Sequence, residues 1–166
     1  MDMQYYQEDS TIGAQDVPED VLMNGFANIN YTNGNFSAGI RYESYLNTML
    51  GFPPGYKGNG IGYKYASYTN DDMTVTVGNF YEQFGNGLVF RVWEDRQLGI
   101  NNTLRGIRYK FYPSKEVEIT AIHGKQRFGF EYSNSVISGF NSNINIAEFL
   151  KLNNLVFTLG LSHLNR

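Results

Sequence analysis

The sequence predicts an all-β fold, an antiparallel up-and-down meander of about eight strands. The first observation behind this is alternation. Segment after segment places apolar residues at every second position and Asn, Ser, Thr, Gly or charged residues between them, which is the period of a pleated strand. The second is composition. Aromatic residues make up 16% of the 166 residues and glycine numbers 18, whereas charged residues reach only 17%, below the roughly 25% of ordinary soluble domains. Aromatic side chains suit a pleated surface, and glycine suits the turns between strands. The third is the lack of a capped stretch with 3.6-residue periodicity, with residues 147–151 as the weak exception.

Taken in order, residues 3–6 predict a short strand and residues 7–24 a polar, acidic connection. Residues 25–32 place Ala27, Ile29 and Tyr31 on one face, and Asn33-Gly34 is a strong hairpin signal. A two-residue loop there would pair Tyr31 with Phe36 and Ile29 with Ala38, so the apolar faces coincide. Residues 44–59 form a long loop rich in Gly and Pro. Ile61, Tyr63 and Tyr65 then alternate with Gly62, Lys64 and Ala66. A turn at 69–71 leads into Met73, Val75 and Val77. Residues 73–94 read as one long, bent strand. Ile107, Tyr109 and Phe111 lead to a turn at 113–115, after which Val117, Ile119 and Ala121 place Glu118 opposite or diagonal to Lys110. The parity shift at Phe128, Phe130 and Tyr132 predicts a bulge within 124–127 in a continuing strand. Residues 133–142 read as a polar loop. A final hairpin turns at Asn153-Asn154 into Leu155, Phe157, Leu159 and Leu161.

The turns are unequal. Short ones at 33–34, 69–71, 113–115 and 153–154 alternate with long connections at 7–24, 44–59, 97–103 and 133–142, provided that 73–94 is a single strand. Short turns at one rim and long loops at the other are the pattern of a transmembrane β-barrel, whose strands also alternate lipid-facing and lumen-facing residues. No apolar run approaches the length of a membrane helix. The chain therefore reads as a single barrel domain over 1–166, or the N-terminal part of a larger barrel. Residues 1–10 show neither the basic nor the apolar region of a signal peptide, and the last strand would end on the outer side. Both features predict a fragment cut within a longer barrel.

Residues 77–107 hold the densest mixture of aromatics, glycines and charges. At GNFYEQFGNGLVFRVWEDRQLGINNTLRGI the sequence resembles a family of uncharacterised outer-membrane proteins from Bacteroidota. The likeness rests on the aromatic segment Gly78 to Gly87, on Arg91, on Glu94 to Arg96, and on Leu98 to Asn102. IGAQDVPE and LGFPPGYKGNGIGYKYA extend it over about residues 4–131. The resemblance implies secretion to the outer membrane and a barrel larger than this chain. It implies no activity.

Arg91, Trp93 and Asp95 share one face of their strand. In an extended chain Arg91 and Asp95 lie about 13 Å apart, so each needs a partner on another strand. Glu82, Lys64, Arg108, Lys110 and Glu118 complete the candidate cluster. Its structural reading is a lumenal network bracing the barrel, because charges withdrawn from water must be paired. A substrate path or a protein-docking surface ranks below it.

Other chemistry finds little support. His123 and His163 are the only histidines and lack ligand-spaced partners, and there is no cysteine, so no metal site, cofactor or catalytic group is predicted. Net charge is −3 without a basic run, which argues against nucleic acid as a partner. The expected partners are a lipid bilayer and other envelope proteins. The expected function is an outer-membrane barrel, transport or structural, and not an enzyme. A soluble all-β module binding carbohydrate or protein is the alternative, and a barrel enzyme the third reading.

Overall fold

The computed structural model describes residues 2–7, 11–13, 19–46, 49, 51–53, 55–152 and 155–166. Among these the strands are β1 (Asp2–Tyr5), β2 (Val21–Asn33), β3 (Phe36–Tyr45), β4 (Gly58–Thr69), β5 (Met73–Phe80), β6 (Glu82–Phe84), β7 (Phe90–Val92), β8 (Glu94–Asp95), β9 (Ile100–Asn101), β10 (Leu104–Ser114), β11 (Val117–Phe128), β12 (Glu131–Asn145) and β13 (Thr158–Asn165). One helical turn, α1 (Ile146–Phe149), precedes β13. Nine strands form a single antiparallel sheet in the order β1-β2-β3-β4-β5-β10-β11-β12-β13, so β1 and β13 are its edges. The all-β, antiparallel meander is as expected.

Four local expectations are corrected. The β2–β3 turn centres on Gly34-Asn35, pairing Tyr31 with Ala38 and Ile29 with Ile40. This slips the expected register by two residues, and a slip of two keeps every side chain on its face. Residues 73–94 are not one strand. The chain leaves the sheet after Phe80, and two small hairpins, β6–β7 and β8–β9, precede its return at Leu104. The strand holding Phe128 does not continue through Tyr132, because Gly129-Phe130 turn it back. Residues 133–142 are consequently not a loop but the middle of β12, paired with β11 and, from Ser138 on, with β13. Their polar residues are poor strand formers alone, and two flanking strands override that preference. The bulge expected near 124–127 is present, between Lys125 and Arg127. The Asn153-Asn154 turn lies outside the described residues.

The sheet is strongly curled. β3 and β11 are separated by β4, β5 and β10, about 19 Å in a flat sheet, farther than an arginine and a glutamate can bridge. Yet Arg127 of β11 meets Glu43 of β3 at 2.5 Å. Curvature of this kind needs sites where strands approach without side chains between them. Gly78, Gly106 and Gly124 provide one, as direct neighbours across β5, β10 and β11. A Cβ on Gly106 would run into the His123 carbonyl oxygen, and one on Gly124 would come within 2.5 Å of the Arg105 carbonyl oxygen.

The segment 81–103 folds back onto the concave face. Phe84, Phe90 and Val92 from it pack with Phe80, Leu104, Ile122 and Ile137, all buried, and Leu164 packs against this cluster. Burying each phenylalanine contributes roughly 1.5–3 kcal/mol. The convex face is the reverse of a soluble protein's exterior. Ile29, Ile40, Val77, Ile107, Leu159 and Leu161 stand exposed there, whereas Arg41, Glu43, Thr76, Thr120 and Arg127 are buried.

Candidate functional site: a buried ion-pair ladder

The concave face of β3 presents Arg41, Glu43 and Tyr45, since alternate residues share a face. Glu43 is fully buried and is the hub. Its carboxylate accepts from Arg127 Nη1 at 3.1 Å and Nη2 at 2.5 Å, from Arg41 Nε at 2.7 Å, and from the Tyr45 hydroxyl at 3.0 Å. The Arg127 fork is bidentate, the strongest geometry for such a pair. Arg41 continues the chain of charge by reaching Glu94 with both terminal nitrogens at 2.9 Å. Glu94 also accepts from Asn101 Nδ2 at 3.1 Å and pairs with Arg96 at 3.5 Å. The result is an alternating ladder, Arg127–Glu43–Arg41–Glu94–Arg96, joining β11, β3 and the 81–103 segment.

A second ladder lies on the same face. Glu82 pairs with Arg108 at 3.4 Å and with Lys110 at 3.1 Å, and Lys110 pairs with Glu118 at 3.3 Å. Lys110 sits opposite Thr120, so Glu118 is its diagonal neighbour, as expected from the sequence. Arg108 also donates to Thr76 Oγ1 and to the Tyr81 carbonyl, both at 3.1 Å. Its Nε is buried without a hydrogen-bond partner.

Tyr81 joins the two ladders. Its hydroxyl accepts from Arg41 Nη2 at 3.4 Å and donates to Asn101 Oδ1 at 3.2 Å. Its ring stacks on Tyr63, with centroids 5.5 Å apart and planes 19° apart. Burial, followed by the nearby Glu94 carboxylate, pushes the Tyr81 phenol well above its ordinary value of 10.0. Burial likewise raises the Tyr56 phenol, which donates to the Asn101 carbonyl at 3.0 Å. The loop after β3 is thereby tied to the inserted segment.

Of the residues expected from the sequence, Glu82, Arg108, Lys110 and Glu118 come together. Asp95 does not join them, because its Oδ1 accepts the Gln97 and Leu98 backbone N–H groups and shapes the turn after β8. Arg91 is exposed and stacks over Trp93 at 4.5 Å, so this pair is local to β7 and its end. Lys64 lies on the wrong face for the cluster. The β3–β4 register slips beside Gly62, pairing Arg41 with Tyr63 but Tyr42 with Ile61. The bulge turns Tyr63 and Tyr65 inward and Lys64 outward. Only glycine fits at its centre, where a Cβ would strike the Glu43 carboxylate.

The hub itself was missed. Arg41 and Glu43 sit at polar positions of an alternating strand, a signal visible in the sequence. Their link to Arg127, 84 residues away, is not. Chemically the arrangement holds charge still. The Glu43 and Glu94 carboxylates are held by guanidinium, amide and phenol donors, and the histidines lie elsewhere, His123 on Ser138 at 2.8 Å and His163 against Phe140. The assembly is suited to bracing curled walls against an insert.

No curated protein matches the sequence. A family model described as a family of unknown function, DUF6029, matches residues 1–166. This match spans the ladders, the inserted segment and the whole sheet, and the chain belongs to that family.

Proposed function

We propose that this chain is a wall of a bacterial outer-membrane β-barrel, with its 81–103 segment lodged in the lumen as a brace. The observation that carries the reading is the inversion of the two faces. Large apolar side chains stand on the convex face, with Ile29 at 75% and Leu161 at 62% exposure, while the paired charges lie within. Lipid-facing apolar residues alternating with an internal polar surface are what such a barrel requires. Tyr31, Phe36, Tyr68 and Phe111 lie within a few residues of the short turns, where interfacial aromatics belong. An ion-pair ladder across the lumen favours a structural or gated role over a wide pore.

The test uses Tyr109→Arg and Leu161→Arg, two convex-face changes. Arginine at the bilayer midplane destabilises a barrel by about 2–4 kcal/mol; on a water-exposed sheet it stays within about 0.5 kcal/mol. Each variant is expected to lose insertion into phosphatidylcholine vesicles, read by heat-modifiable gel mobility. Wild-type protein that stays soluble and monomeric without detergent would overturn the reading in favour of a soluble all-β binding module.

A further inference from the structure

The convex face carries a row of positive charge beside its apolar band. Lys125 of β11 and Arg105 of β10 are direct cross-strand partners, and Arg105 is paired with Asn79 of β5. Lys64 of β4 completes the row, its backbone N–H donating to Asn79 Oδ1 at 3.1 Å. The row crosses four adjacent strands spaced about 4.8 Å apart. Among the described residues none of the three cations has an ion pair. Arg105 lies over the Tyr132 ring at 5.0 Å. Like charges placed opposite each other destabilise a strand pair, so this row calls for an anion from outside the fold.

The same row forms one end of a groove of about 980 Å³. Ala38, Ala66, Val77 and Ile107 line it, and Gly78 and Gly106 add no side chain to fill it. Cations at one end and hydrocarbon along the lining match a ligand with an anionic head and apolar tails. We infer that this groove binds an anionic phospholipid, its phosphate on Lys64, Arg105 and Lys125 and its acyl chains along Ala66, Val77 and Ile107. The inference rests on the membrane reading, in which the row marks the level where hydrocarbon gives way to headgroups. Long basic side chains reach toward such a level. A phosphatidylcholine headgroup brings its own cation to the row and is disfavoured.

The test compares phosphatidylglycerol with phosphatidylcholine, each offered to the protein in nonionic detergent, with retained lipid read by native mass spectrometry. Wild-type protein is expected to retain phosphatidylglycerol in preference by on the order of tenfold, the scale of one or two charge-assisted hydrogen bonds. The triple variant K64Q/R105Q/K125Q is expected to lose that preference while keeping its unfolding midpoint, since the repulsion it relieves between Arg105 and Lys125 offsets the Arg105–Tyr132 contact it removes. Ala66→Trp, which fills the groove and leaves the charges, is expected to lose lipid altogether. Equal retention of the two lipids by wild-type protein overturns the inference without any variant. So does displacement of the lipid by equimolar inorganic phosphate, which would make the row a free-anion site. Insertion into phosphatidylcholine vesicles reads the membrane assignment separately. Insertion without headgroup preference overturns the groove alone, and headgroup preference without insertion overturns the membrane reading alone.

Discussion

At the scale of single residues, Glu43 has the largest consequences. It is buried between two guanidinium groups, and breaking a buried pair by removing one partner strands the rest at a cost of about 3–5 kcal/mol. Glu43→Ala is therefore expected to lower stability by that amount in a denaturant titration, with Glu43→Gln recovering part of it. Gly106 is a second sensitive position. An alanine there must displace the His123 carbonyl, and overpacking of this kind destabilises by about 1–3 kcal/mol. Gly106→Ala should lower the unfolding midpoint while Gly25→Ala, whose Cβ would make only an ordinary 3.8 Å contact with the Ser44 Cβ, should affect it much less. A loss at Gly25 equal to that at Gly106 would show that backbone approach is not what the glycine row provides.

At the scale of elements, the 81–103 segment decides how the concave face is used. It brings Phe84 and Phe90 to the core and Glu82 and Glu94 to the two ladders. Phe84→Ala is expected to cost about 3–5 kcal/mol, and hydrogen exchange should show β5, β10 and β11 losing protection together. Selective opening of the segment with the strands still protected would make it a separable plug. Tyr81 gives this element a pH dependence. Its phenol is raised above 10.0 in the fold by burial and then by the Glu94 carboxylate. The neutral form is thus the one the fold favours, so its contribution is intact below pH 10 and is lost as pH rises through the folded value. Stability is expected to fall above about pH 10, and Tyr81→Phe should flatten that fall. An unchanged alkaline limb in the variant would assign the effect to other tyrosines.

At the scale of the whole molecule, curvature and the inversion of faces belong together. Once β3 and β11 face each other, charged side chains from distant strands neutralise one another inside, and apolar side chains at the alternate positions, such as Ile40 and Ile107, stand outside. The convex apolar band of Val77, Ile107 and Leu161 then needs an apolar partner, which the proposed bilayer supplies. The arginine substitutions at Tyr109 and Leu161 test this scale directly, since they touch neither ladder nor core.

Much of this architecture was legible in the chain itself. Period-two alternation placed the hairpin partners on matching faces, and Lys110 with Glu118 was readable because only a tight turn separates them. The displaced β2–β3 turn and the Gly129-Phe130 turn are local departures; the others share one cause, long-range pairing. Polar residues 133–142 became a strand because β11 and β13 flank them. Lys64 changed face because a bulge at Gly62 makes room for a carboxylate from the neighbouring strand. Residues 82–101 became an internal insert because a curled sheet leaves a concave face to fill. Local sequence determined which residues alternate and, to within two residues, where the β2–β3, β4–β5 and β10–β11 turns fall, since both depend on the backbone within a few residues. Only the tertiary structure decided that Glu43, Arg41 and Arg127 meet, because that contact exists solely when the sheet closes four strand spacings into one ion pair.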